Sequence, residues 1–192
     1  MALRPIPYRR LETLVRAHLD TVEDEGTAAL MRRLRAARAR GHLTRAEMEA
    51  VCRWKSARAI HHVRSNTPAE VRAATREALR TRSERLRLAA LTRLRGVSVP
   101  MASALLTLLH PRRYGVIDIR VWQLMHRVGT VGTNAGGAGF SFDNWQQFLV
   151  AIRRMAARLG VTARDVERTL FSVHRKYQSG TLYARREGIR GR

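Results

Sequence analysis

The residues with the clearest chemical potential lie between Leu91 and Gly129, in LTRLRGVSVPMASALLTLLHPRRYGVIDIRVWQLMHRVG. A helix ending at Leu94 and Arg95 meets the tight turn Gly96-Val97-Ser98, and a second helix runs on to His110. So short a turn exposes backbone N–H groups at the start of the second helix, where they can hold a phosphate. Gly96 permits a close backbone approach that a side chain would block, so Arg95, Gly96, Val97 and Ser98 are candidates for contacts to a phosphate backbone. Farther on, Asp118 is one of few acids in a strongly basic stretch that includes Arg112, Arg113 and Arg120. Its residue type also suits the N-cap of the helix that holds Val121, Leu124 and Met125.

A second group is Trp54-Lys55-Ser56. Of the 37 basic side chains only Lys55 and Lys176 are lysines. In a chain that otherwise uses arginine, Lys55 marks a place where a compact ammonium of adjustable pKa is wanted, or it is a surface lysine beside a core Trp54. Tyr114 either borders a pocket near Asp118 or packs beneath the loop. His61 and His62 are adjacent and point to different sides of a helix, so no metal site is expected. Trp122 and Trp145 read as core anchors.

The net charge of +22 calls for a polyanionic partner, with nucleic acid ahead of an anionic membrane because the basic residues are spread over many segments. The plainer alternative is that codon bias underlies part of the arginine excess, and Arg32, Arg33, Arg35, Arg38 and Arg40 form a solvated face or a phosphate-tracking stripe. The longest apolar run, Val97 to Leu109, falls short of the ~20 residues needed to span a bilayer, and MALRPIPYRR lacks the apolar stretch of a secretory signal. The lone Cys52 can form no intramolecular disulfide and cannot by itself hold an iron-sulfur cluster or a cysteine-rich zinc site. A reducing cytoplasmic setting fits.

The elements that must position these residues are helices. Thr44/Glu47, Thr67/Glu70 and Thr81/Glu84 have the spacing of reciprocal N-caps, Pro68 suits a first helical position, and Gly41 suits a stop. Apolar residues recur at helical spacing, for example Phe148, Ile152, Met155 and Leu159. The pattern predicts helices near 8–20, 23–40, 44–63, 68–80, 82–95, 100–110, 118–128, 143–159 and 163–177, with no competing strand pattern and no internal repeat. Residues 129–139 read as a glycine-rich linker or a mobile loop over a cleft, and 180–192 as a basic tail that orders on DNA.

Leu94-x-Gly96-Val97-Ser98-x-x-x-Ala102 resembles the hairpin L-P-G-V-G-x-x-x-A of the helix-hairpin-helix DNA glycosylases. In that family a catalytic Asp follows the hairpin within a short hydrophobic segment, and Asp118, 18 residues beyond Pro100, matches the spacing within Ile117-Asp118-Ile119-Arg120-Val121-Trp122. The likeness is sharp over Thr81 to Gly129, about a quarter of the chain, and architectural elsewhere.

The resemblance implies one all-α, two-lobed domain over 1–192, with a hairpin at 82–110 and Asp118 at the cleft between lobes. It implies a DNA N-glycosylase of base excision repair that flips an aberrant base from the duplex and hydrolyses its N-glycosidic bond. Asp118 would stabilise the oxocarbenium-like sugar and orient water. Trp54, Lys55 and Tyr114 would line the base pocket, and Arg95, Gly96, Val97, Ser98, Arg112, Arg113 and Arg120 would hold DNA. Pro100 stands where bifunctional members carry a lysine, so the likeness is to monofunctional members; Ser98 stands for the second hairpin glycine. The cysteine motif of cluster-binding members is missing, so no cofactor and no iron-sulfur cluster are expected. The expected partner is double-stranded DNA bearing an aberrant base, bound by a cytoplasmic, nucleoid-associated monomer. The alternative is a non-catalytic helix-hairpin-helix DNA-binding protein.

Overall fold

Every regular element that these residues form is helical, and the reason is visible at the helix ends. The computed structural model describes residues 3–182. Its helices are α1 (Leu11–His18), α2 (Glu25–Arg33), α3 (Arg35–Arg40), α4 (Arg45–Ser56), α5 (Ile60–Arg64), α6 (Pro68–Arg80), α7 (Glu84–Thr92), α8 (Val99–Leu109), α9 (Ile119–Arg127), α10 (Phe142–Leu159) and α11 (Ala163–Tyr177). The described residues contain no strand beyond a single bridge between Leu3 and Gln178.

The reciprocal caps at Thr44/Glu47 and Thr67/Glu70 form, and Gly41 ends α3 in the left-handed conformation at φ 75°. Thr81 and Glu84 do not form the third. Ser83 caps α7 instead, accepting from the Leu86 N–H at 3.3 Å. The Glu84 carboxylate is drawn away to Arg87, Arg153 and the Tyr114 hydroxyl, charged and neutral donors that outweigh one backbone N–H. Two further reciprocal caps, Ser141/Asn144 and Thr162/Asp165, open α10 and α11. Asn and Asp replace the usual Glu or Gln in them.

Two expected long helices are broken. Residues 23–40 divide at Leu34, and 44–63 divide where Ser56 turns to φ −164° and a 3-10 turn, Ala57–Ala59, leads into α5. The second break follows directly on Trp54 and Lys55, and the 3-10 turn after it supplies Arg58 and Ala59 to the cavity described below.

Residues 101–109 of α8 are all buried, as expected of a helix that is apolar on every side. It packs against α2, α3, α4 and α7, while α11 packs against α1, α9 and α10. Trp122 and Trp145 are fully buried core anchors. No helix among the described residues is long and apolar enough to cross a membrane.

The glycine-rich segment 129–139 is an irregular loop tied to α9, and its last three residues line the cavity described below. Trp122 Nε1 donates to the Asn134 carbonyl at 2.9 Å, and Gln123 Nε2 donates to the Gly136 carbonyl at 3.0 Å. A side chain at Gly137 would be strained: its φ is +69°, and a Cβ there would lie 3.2 Å from the Ile119 backbone, a tight approach. Of the expected basic tail, 183–192 lie outside the described residues.

Candidate active site

The capping geometry of α9 places Asp118 at the edge of a cavity of about 730 Å³. The cavity is bounded by the start of α2, the end of α4, the turn between α7 and α8, the first turn of α8, residues 137–140, and α11. Asp118 is extended, with φ −146° and ψ 174°, and its Oδ1 accepts from the Val121 N–H at 3.0 Å. The other carboxylate oxygen faces Lys55, whose Nζ donates to Oδ2 at 3.4 Å. Capping uses one oxygen, and the second is shared between Lys55 and the cavity.

Lys55 lies in the last turn of α4, and Trp54 beside it is half-buried. Trp54 Nε1 donates to the Thr27 hydroxyl at 2.8 Å, and the Arg164 guanidinium lies 5.5 Å from its ring centre. Trp54 and Lys55 both line the cavity. Lys55 reaches Asp118 from 63 residues earlier in the chain because α4 packs along α8, whose first turn is another wall.

The α7–α8 turn forms the next wall. Gly96 takes φ +78°, and Ser98 is the N-cap of α8 but its side chain bonds no N–H. Pro100 has no N–H to offer, which leaves Val99 and Met101 as cavity-lining residues with first-turn donors. Val97 is buried, its N–H bonded to the Leu94 carbonyl at 3.1 Å. Gly96 also packs inward: a Cβ on it would lie 2.8 Å from His62 Cβ and 3.0 Å from the Val63 nitrogen. Its lack of a side chain is therefore needed by the fold.

Arg95 is engaged within the protein. Its N–H donates to Asn66 Oδ1, its carbonyl accepts from Asn66 Nδ2, both at 2.9 Å, and its guanidinium reaches Ser65 and Glu70. Arg112 and Arg113 are exposed in the α8–α9 connection and do not line the cavity. Arg120 does line it. Its buried Nε has no hydrogen-bond partner, and its guanidinium lies 5.3 Å from the Phe171 ring centre.

Tyr114, expected at the base pocket or under the loop, takes the second place. It is 2% exposed, stacks on Trp145 with centroids 6.3 Å apart, and its hydroxyl donates to Glu84 Oε2 at 3.0 Å. It therefore belongs to the core and not to the pocket. The aromatic stack and the Glu84 acceptor hold it there.

Sequence reading did not single out Arg164, Glu167, Arg168 and Phe171, which all line the cavity from α11. Their i, i+3, i+4, i+7 spacing was the available signal. Arg164 joins Glu167 at 2.5 Å and Glu23 at 2.8 Å. Burial pushes the Glu167 carboxyl above its ordinary range, Arg164 opposes that shift, and the charge of Asp118 adds to it. Behind the site, His174 is fully buried and its Nε2 pairs with Gln123 Oε1 at 3.2 Å. Burial and the charge of Arg120 push its pKa down to about 4, against the pull of Asp118.

The cavity lining carries five cationic side chains, Lys55, Arg58, Arg120, Arg164 and Arg168, against three acidic ones, Asp24, Asp118 and Glu167. An anionic ligand is favoured at such a surface. No cluster of His, Cys, Asp and Glu among the described residues is arranged to hold a metal ion. No protein-family model, curated protein or solved structure matches the chain, and the chemistry of the site stands on its own residues.

Proposed function

We propose that the protein is a DNA N-glycosylase that excises an aberrant base from double-stranded DNA. The observation that carries this reading is the placement of Asp118: a slightly exposed carboxylate, one oxygen uncapped, on the wall of a cavity bounded also by the Gly96 turn. In this reading α7, the turn and α8 are the helix-hairpin-helix, and the Val99 and Met101 N–H groups meet a phosphate. The helices around α8 form one lobe and those around α11 the other, with the cavity between them. The flipped base enters the cavity against Trp54, and the deoxyribose C1′ lies near Asp118.

As the glycosidic bond lengthens, positive charge grows on the sugar, and the fixed carboxylate stabilises it without having to reorganise. Water completes the reaction. The reaction needs no metal or organic cofactor, and one chain supplies every residue named.

The test is release of free base from duplexes carrying alkylated, oxidised and deaminated bases and larger natural base modifications, each at a single position. Excision of one class, lost in Asp118→Asn, is the expected outcome. Tight duplex binding with no base released from any substrate would favour the non-catalytic DNA-binding alternative.

A further inference from the structure

Lys55 is chemically out of place if its task is only to balance charge. Among the described residues every other ion pair uses arginine, and so do the other four cationic side chains lining the cavity. A guanidinium would pair with a carboxylate more strongly, through two parallel hydrogen bonds. What lysine offers and arginine does not is a nucleophilic amine. That amine is held 3.4 Å from Asp118 Oδ2, with the two side chains only 18% and 13% exposed. Its helix end is anchored by the Trp54–Thr27 bond, and the Cys52 thiol reaches the Ser56 carbonyl at 3.5 Å.

Base excision leaves an abasic sugar, a hemiacetal in equilibrium with an open-chain aldehyde at C1′. We infer that Lys55 gives the protein a second activity, covalent capture of that aldehyde as an imine. The inference rests on the glycosylase reading for the origin of the aldehyde, and is independent of which base is removed. The Lys55 ammonium passes one proton to Asp118, and the freed amine adds to C1′, forming the C–N bond. The former carbonyl oxygen then leaves as water with one proton returned by Asp118 and one from the nitrogen. The product is a protonated imine, so charge and atoms balance without oxidant or reductant. Pro100, which carries no amine, lines the same cavity, so α4 supplies the nucleophile that the hairpin lacks.

The experiment uses a duplex with one preformed abasic site, incubated with the full chain and borohydride, which reduces an imine to a stable amine. Wild type and Lys176→Arg are expected to give the covalent protein–DNA adduct, with peptide mass mapping placing it on Lys55. Lys55→Arg is expected to lose the adduct. No adduct with wild type, or an adduct mapped to Lys176 or the α-amine, would overturn the inference. Mapping on wild type decides the matter even if Lys55→Arg fails to fold. Because the abasic site is supplied ready-made, failure of the glycosylase reading shows separately, as absence of base release from every modified duplex.

Discussion

Gly96 and His62 pack too closely to leave room for a side chain on the glycine: a Cβ on Gly96 would lie 2.8 Å from the Cβ of His62. The turn between α7 and α8 is thus locked onto α5. Its φ of +78° adds a conformational requirement to the steric one. Gly96→Val is expected to destabilise the protein by about 2–4 kcal/mol, from left-handed strain together with overpacking. Thermal or denaturant unfolding measures this. Wild-type stability with weakened DNA binding would mean that α5 yields and the glycine serves phosphate approach alone.

Asp118→Asn separates capping from chemistry. Asn caps helices as well as Asp does, so stability should change little, while a neutral amide cannot stabilise a developing cation. On a cleavable substrate the excision rate should fall on the order of a hundredfold or more. Single-turnover kinetics at saturating enzyme would reveal it, and a wild-type rate would remove the assigned role of the carboxylate.

Acid should weaken the fold through its histidines before it reaches most carboxylates. The buried His174 has its pKa pushed down to about 4, whereas the unfolded chain titrates near 6.5. Between those values the unfolded state binds the extra proton, so stability falls as pH drops from about 6.5 to about 4, by up to about 3 kcal/mol. Burial lowers His110 as well, with the same sign. Glu167, raised mainly by burial, works in the opposite direction. In unfolding curves at successive pH values, His174→Asn should show a shallower slope across this window than wild type.

Duplex affinity should fall steeply with salt, because each phosphate neutralised by the protein releases condensed counterions, with a log–log slope of ~0.9 per contact. Titrations at low and moderate salt measure the slope. A flat response would exclude a phosphate-tracking surface.

Gln123 holds two partners at once, His174 through Oε1 and the Gly136 carbonyl through Nε2. Gln123→Ala leaves both polar groups without their partner and should cost about 1–3 kcal/mol. Hydrogen exchange should accelerate over residues 129–139, and unchanged protection there would show that the Trp122 bonds suffice.

Helix positions were legible because apolar periodicity and cap residues are local signals, and the capping place of Asp118 was legible because an Asp directly before an apolar helical repeat is such a signal. The partners of those residues were not. Lys55 meets Asp118 across 63 residues, a contact that depends on how α4 packs on α8. Glu84 looked like a capping acid, yet Arg153, 69 residues away, competes for it. Tyr114 sits four residues before Asp118 and still turns into the core, because a stacking surface on Trp145 outweighs proximity in sequence. Charged residues on α11 escaped notice since its apolar face dominated the pattern.

The wall formed by Gly137, Ala138 and Gly139 is almost pure main chain, and it is anchored through Asn134 and Gly136. Its contour is consequently written in peptide planes and residue count. Side-chain exchange at Gly136 or Gly139 meets no atom within 4 Å and alters little beyond the backbone preference at Gly139. Inserting or deleting one residue between the two anchors and Phe140 would move the whole wall. The width of the cavity on this side therefore depends on loop length more than on side-chain identity, while Asp118 stays fixed by its own helix.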